Sequence, residues 1–274
     1  MDITNLITLI KANKKYKDIS DDVVKTELEK YFKANSKAEN YKDKFIVKDI
    51  RTKLHKNYAS FQMPNQSKKE RVELLAQLDK NPGDIKIVNK LLGTNRSTKE
   101  RIEFYSQLYE DIFSITGEPN SILDLGCGIN PISFPYMKLE QANYYACDID
   151  NRDIKFLNDF FKMMQIEGLA ETKDLSLLEN FSSLPEADIC FMFKLLDVLE
   201  KKGHKYSEDV IKILIDKCQF IVASFATYTV GGREMNFPER GWIERMLTRI
   251  GLKFKMLEYS NEIFYVVYKS KKKN

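Results

Sequence analysis

The first 61 residues place apolar side chains every three to four positions, with glycine and proline all but absent. In DISDDVVKTELEKYF, Val23, Val24, Leu28, Tyr31 and Phe32 fall at helical spacing. Ser20 followed by Asp21 and Asp22 supplies an N-cap and puts acids in the first turn, where they face the positive end of the helix dipole. VKDIRTKLHKNYASF repeats the habit. Ile50, Leu54, Tyr58 and Phe61 form one stripe, and Lys48, Arg51, Lys53 and Lys56 face elsewhere. MPNQSKK (63–69) predicts a turn or linker, and ERVELLAQL predicts a short helix stopped by KNPGD. STKERIEFYSQLYEDIFSIT predicts one long amphipathic helix running to Gly117, with Ser97 as N-cap and Glu100 at the capping-box position.

After Pro119 the period changes. Short apolar segments (SILDL, YYACDI, ADICFMF, QFIVASF) alternate with helical ones near 152–164, 207–217 and WIERMLTRIG. Strand, helix, strand, helix predicts a doubly wound, mostly parallel α/β sheet. KFKMLEYS and IFYVVYK follow each other with no helix between them, which predicts an antiparallel hairpin at one edge. With a glycine turn after its first strand, this layout resembles the class I S-adenosylmethionine-dependent methyltransferases, a Rossmann-like fold. The expected division is a helical unit over 1–96 and a methyltransferase domain over 97–274.

Composition adds less than charge does. Hydrophobic residues make up 43% and charged residues 31% of 274 positions, a soluble globular balance. Apolar runs fall far short of a membrane span, and no signal-peptide pattern opens the chain. The four cysteines show no metal-like pairing, so reduced thiols in the cytoplasm and no metal are expected. The net charge of +4 is uneven: residues 1–100 carry 22 Lys+Arg against 14 Asp+Glu, and the remainder 22 against 26. A basic front half suits a polyanionic partner; a Lys-rich solvated surface would look the same.

The candidate chemistry sits in LDLGCGINP. In an open α/β sheet, ligands bind at the carboxyl ends of the strands. Gly126 and Gly128 allow backbone to approach a ligand closely after Asp124. Asp148, at the next strand end, is placed to accept from ribose hydroxyls, with Asp150 as the alternative. Asp174, at a third, is placed to meet the adenine amino group. Asn130-Pro131 stands where a dinucleotide fingerprint has a third small residue. Asn130 reads as an N-cap, with Pro131 starting the next helix. S-adenosylmethionine lacks the pyrophosphate and carries a positive sulfonium, which acids at these three positions suit.

Several motifs in order are similar to the aminoglycoside-resistance 16S rRNA (guanine-N7) methyltransferases, the Arm/Rmt family. KKYKDIS with LHKNYASF resembles that family's N-terminal helical domain. STKERIEFYSQLYEDIF resembles the helix entering its catalytic domain, and LDLGCGINP its cofactor loop. FKLLDVLE resembles its fourth-strand motif, and SFATYTVGGR a later Ser-Phe-Pro-Thr-Arg-Ser-Leu-Gly-Gly-Arg segment. The resemblance implies a helical domain that docks on the 30S subunit and a class I domain that methylates guanine N7 near the decoding centre. By position it puts Arg101 toward the cofactor carboxylate, with Gly126, Asp148 and Asp174 as further contacts. The full expected cofactor set is Arg101, Asp124, Gly126, Cys127, Gly128, Asn130, Asp148, Ile149, Asp174, Leu175 and Phe193. The chain departs from the pattern at Ala226-Thr227-Tyr228, where the family has Pro-Thr-Arg. It departs again at Glu234-Met235-Asn236-Phe237, where the family has Gly-Lys-Gly-Met.

Guanine N7 has a lone pair and no proton to lose, so no general base is expected. The enzyme must instead extrude the base and align it. Tyr228 and Phe237 are candidates to stack the base, Arg233 to hold phosphate and Lys194 to lie beside it. The docking surface is expected to use Lys14, Lys15, Arg51, Lys53 and Lys56, with Lys68, Lys69 and Arg71 as a second patch. A monomer is expected. Three functions stay open on the residues: an rRNA methyltransferase of this kind, a methyltransferase with a different RNA or small-molecule target, and a non-catalytic RNA- or ribosome-binding module.

Overall fold

The computed structural model describes residues 2–36, 38–55, 65–200, 205–228, 233–235 and 239–270, without the side chains of Glu39 and of residues 65–68. Three helices open the chain: α1 (Ile3–Lys11), α2 (Asp21–Ala34) and α3 (Asp43–Leu54). Ser20 caps α2 by accepting from the Val23 N–H at 3.3 Å, as its sequence predicts. Leu6, Ile10, Val23, Val24, Leu28, Ile46, Ile50 and Leu54 close into a core of their own.

Four more helices follow: α4 (Asn65–Lys80), α5 (Ile85–Leu92), α6 (Arg96–Lys99) and α7 (Tyr105–Thr116). Residues 65–69 are helical, so the linker expected at 63–69 gives way to helix at Asn65. Asp84, read from sequence only as part of a stop, caps α5 by accepting from the Lys86 N–H at 2.9 Å. The single long helix expected from Ser97 is two. Asn95, two residues earlier, accepts from the Ser97 and Thr98 amides, and the helical run ends at Lys99. The Thr98 hydroxyl donates to the Leu92 carbonyl at 2.5 Å. Glu100 makes no capping box; it pairs with Lys194 at 2.7 Å and Arg96 at 3.1 Å.

The sheet comprises β1 (Ser121–Leu125), β2 (Asn143–Asp148), β3 (Gly168–Thr172), β4 (Ala187–Phe193), β5 (Cys218–Ala226), β6 (Leu252–Tyr259) and β7 (Glu262–Lys269). Its order is β3-β2-β1-β4-β5-β7-β6, with β1 to β5 parallel and β7 antiparallel to both neighbours. The hairpin read at one edge is therefore there, inserted with β7 against β5. Two faces follow from the two-residue period of a strand. Ile189, Phe191 and Phe193 join one core with α5, α7 and α8 (Asn151–Met164); Cys190 and Met192 join the other with α11 (Lys205–Lys217) and α12 (Gly241–Arg249). At the edge, β6 alternates part-buried with exposed residues and leaves Lys253 and Lys255 in solvent, which blunts its unpaired side. Helices α4 and α5 give Leu74, Leu78, Val88, Leu91 and Leu92 to the sheet's core, so the first 96 residues feed two separate cores. Short helices α9 (Glu179–Ser182) and α10 (Leu196–Leu199) complete the α-helices among the described residues.

Candidate functional site

The carboxyl ends of β1, β2, β3 and β4 open onto one cavity, walled by Asp124, Gly126, Asp148, Asp174, Phe193 and Lys194 among others. The first strand turns sharply there because Gly126 and Gly128 hold φ values of +63° and +52°, a region other L-residues resist. A Cβ on Gly126 would lie 2.6 Å from Leu195 Cδ1.

Asp124 is 1% exposed and accepts from the Asn130 amide at 2.9 Å and the Tyr144 hydroxyl at 2.8 Å. Burial pushes its carboxyl up to about 6 against the pull of those two bonds. The Tyr105 hydroxyl in turn donates to Asn130 Oδ1 at 2.9 Å. Asn130 is therefore not the N-cap that sequence predicted. Its side chain is spent on Asp124 and Tyr105, and it is itself the first residue of a 3-10 helix, Asn130–Met137, in which Pro131 occupies the first turn.

Asp148 closes the loop from the other side. One oxygen accepts the Gly128 N–H at 2.9 Å, and the other accepts those of Ile149 and Asp150 at 2.7 and 3.2 Å. Burial raises this carboxyl to about 6, opposed by the Gly128 amide. Asp174 is 6% exposed. Its Oδ1 accepts from the Ser176 N–H at 2.8 Å, while its Oδ2 is buried in the cavity wall with no partner. A buried acceptor left open is costly unless a ligand donor meets it.

Arg101 is 2% exposed and grips Glu262 through Nε and an Nη, at 2.9 and 2.8 Å, with its guanidinium 4.9 Å from the centre of the Phe193 ring. Lys194, in the left-handed region at φ +57°, reaches Glu262 at 3.1 Å and Glu100 at 2.7 Å. Burial pushes the Glu262 carboxyl up, but the charges of Arg101 and Lys194 outweigh it and hold it below the usual range. All eleven residues expected for the cofactor line this one cavity.

The nucleotide-side residues are more dispersed. Lys194 stands in the cavity wall, while Tyr228 and Arg233 lie on the segment after β5 and do not line the cavity. Tyr228 is 40% exposed and bridges to Glu234 as paired strand residues, and Arg233 is exposed. The expectations for Phe237 and Lys56 lie outside the described residues, as does the side chain of Lys68. Lys14, Lys15, Lys53 and Lys69 are exposed. Arg51 is half-buried and donates to the Leu9 and Ile10 carbonyls at the end of α1, so it also holds the helical core. Arg71 corrects the sequence reading. It is 4% exposed, bonded to Thr94 and paired with Asp153 at 2.7 Å, and it walls the cavity instead of forming a surface patch. A guanidinium so enclosed and so fully engaged cannot grip a phosphate on the surface.

Sequence reasoning missed Arg71, Thr98, Asp153, Ser176 and Leu195 in the wall, and Glu262 behind it. Glu262 alone left a signal, as the acid that opens an otherwise apolar strand.

This geometry has close relatives. The family model described as ribosomal RNA methyltransferase (FmrO) matches residues 12–266. A 16S rRNA (guanine(1405)-N(7))-methyltransferase of Micromonospora echinospora is 31% identical over 81% of this chain and 82% of its own length. A protein of the same name from Proteus mirabilis is 27% identical over 84% of this chain and 86% of its own. Among solved structures, the 16S rRNA methyltransferase RmtF in complex with S-adenosyl-L-homocysteine superposes with a TM-score of 0.79 at 23% identity, covering 98% of this chain and all of that one. With the match running through helical unit and sheet alike, this chain belongs to the FmrO family of ribosomal RNA methyltransferases.

Proposed function

We propose that this chain transfers the methyl group of S-adenosylmethionine to N7 of a guanine in 16S rRNA, at the position its relatives' names give as 1405, on the assembled 30S subunit. The observation that carries the reading is the family match over residues 12–266, a range that takes in both the basic helical unit and the cavity. The protein would act as a monomer in the cytoplasm; among the described residues no helix is long and apolar enough to cross a membrane.

The cavity residues fit this cofactor. The orphaned Asp174 Oδ2 wants a donor, which the adenine amino group supplies. Asp148, already oriented by three backbone amides, has lone pairs to spare for ribose hydroxyls. Arg101 offers its remaining guanidinium face to the carboxylate, and Asp124 offsets positive charge near the sulfonium. Held by these residues, the cofactor would supply an electrophilic methyl group, and the N7 lone pair would displace S-adenosylhomocysteine as the leaving group. This chain's part is alignment and exclusion of water. Because N7 carries no proton, no residue has to accept one. Lys194, at the cavity's β4 end, and the Tyr228–Arg233 segment after β5 would hold the extruded base and its phosphate.

A second reading, a methyltransferase with a different RNA or small-molecule target, is favoured by one observation. Glu234 stands where the family carries glycine, in a bridge with Tyr228, and adds negative charge where rRNA phosphate would approach. Incubation with methyl-labelled cofactor and, separately, 30S subunits, naked 16S rRNA and tRNA distinguishes the two. Label in the 30S arm alone supports the first reading; label in tRNA and none in 30S supports the second.

A further inference from the structure

We propose that the helical unit is a working part of the cofactor site, with Asp18, Ser20 and Lys30 positioning the two loops that hold the nucleoside half of the cofactor. The inference rests on the reading of the cavity as an S-adenosylmethionine site.

The first loop follows β2. Its Ile149 carbonyl accepts the Ser20 N–H at 3.3 Å, and its Asn151 N–H donates to the Asp18 carbonyl at 3.2 Å. These bonds set Ile19 and Asp150 opposite each other as one rung of an antiparallel ladder. Arg152 adds an ion pair to Asp18 at 2.6 Å. Ile149 packs its side chain on the core of the helical unit while also lining the cavity. The backbone amides of Ile149 and Asp150 are two of the three that fix Asp148. The helical unit thus stands one residue away from the acid that meets the ribose.

The second loop follows β3. Lys30, on α2, donates to the Ser176 hydroxyl at 2.8 Å, and the Ser176 amide fixes Asp174 at 2.8 Å. Ser176 is itself in the cavity wall. So α2 and the turn before it hold both acid-bearing loops at once. Neither loop has to be ordered by the ligand, and a site whose loops are already in place binds more tightly because that ordering cost is absent. By linkage, if rRNA docking on the helical unit changes cofactor affinity by some factor, bound cofactor changes rRNA affinity by the same factor.

The test is calorimetry with S-adenosylhomocysteine and, separately, adenosine, on the full chain. The variants are Asp18→Ala, Arg152→Ala, the charge-swapped pair Asp18→Arg with Arg152→Asp, and Lys30→Met, each checked by thermal unfolding. The single variants should loosen both ligands by about fivefold or more, the low end of typical coupling between sites. The swapped pair should recover most of that loss, and unfolding temperatures should not track the affinities. Should an alanine variant fail to fold, Lys30→Met, which keeps the stem and removes only the charge and donor, carries the same test at the second loop. Wild-type affinity in well-folded single variants, or no recovery in the swapped pair, would overturn the proposal. A wild-type chain that binds neither ligand would instead overturn the reading of the cavity.

Discussion

Arg101 and Glu262, 161 residues apart in sequence, meet in two parallel hydrogen bonds of 2.9 and 2.8 Å with Glu262 wholly shielded from solvent. The pair ties the turn between α6 and α7 to the first residue of β7, and Lys194 and Ser224 close on the same carboxylate. A fork-to-fork contact fixes the guanidinium plane of Arg101 where it lines the cavity. Breaking such a pair from one side leaves a buried cation uncompensated. Glu262→Gln should therefore cost about 3–5 kcal/mol of stability, read from denaturant unfolding. A loss under about 1 kcal/mol, the scale of an exposed pair, would show that Arg101 does not depend on it.

Asp174 separates binding from folding. Its Oδ2 has no protein partner, so Asp174→Asn, which keeps an Oδ1 for the Ser176 amide and replaces only the open acceptor, removes little that holds the fold. The same change should weaken S-adenosylhomocysteine roughly tenfold or more, the scale of one buried hydrogen bond left unmade. Calorimetry beside a thermal melt reads both. Equal affinity in the variant would remove Asp174 from the site.

The two glycines of the turn differ in what a side chain would meet. Gly126→Ala faces both a positive φ and the Leu195 side chain, while Gly128→Ala, at φ +52°, meets its nearest atom at an ordinary 3.4 Å. Left-handed strain alone is on the order of 1–2 kcal/mol. Gly126→Ala should thus lose more stability than Gly128→Ala in parallel urea titrations; the reverse order would contradict the packing described.

Burial raises Asp124 and Asp148 to about 6, above their unfolded value of roughly 3.9. In that interval the folded chain without ligand holds protons that the unfolded chain has released. Their contribution to stability is thus full below the unfolded value and lost as pH rises through about 6. Asp124→Asn should accordingly raise stability measured at pH 7.5 without ligand. Cofactor affinity runs the other way, because a cation and ribose hydroxyls prefer the ionised acids: it should fall as pH drops below about 6. In Asp148→Asn that slope should flatten, and an unaltered slope would assign it to another group.

Much of this site can be read from the chain because its acids end strands, and strand ends are marked by apolar runs that stop. Asp124, Asp148 and the glycine turn are legible for that reason, and with them the alternation of strands and helices up to the closing hairpin. Asn130 misled because Asn before Pro is locally a good cap. Its actual partners, Asp124 and Tyr105, are set by how β1 meets α7, which no local pattern encodes. Arg71 misled in the same way. In sequence it is one more cation in a basic stretch, and only the approach of α4 to α8 turns it inward onto Asp153. The break at Lys99 is a local switch to i,i+3 backbone bonds, from the Arg101 N–H to Thr98 and the Ile102 N–H to Lys99, within an amphipathic period that runs on through 97–116 and hides it.

The position of the transferred methyl group decides the function. Modification at N7 leaves guanosine open to reductive ring opening and strand scission, so the site can be read on a gel at single-nucleotide resolution. 30S subunits incubated with this protein and S-adenosylmethionine should give one new scission in 16S rRNA, at the guanine its relatives' names number 1405, absent without the cofactor and absent with Asp148→Ala. No new scission in 16S rRNA, with labelled methyl recovered from tRNA or from another atom, would contradict it.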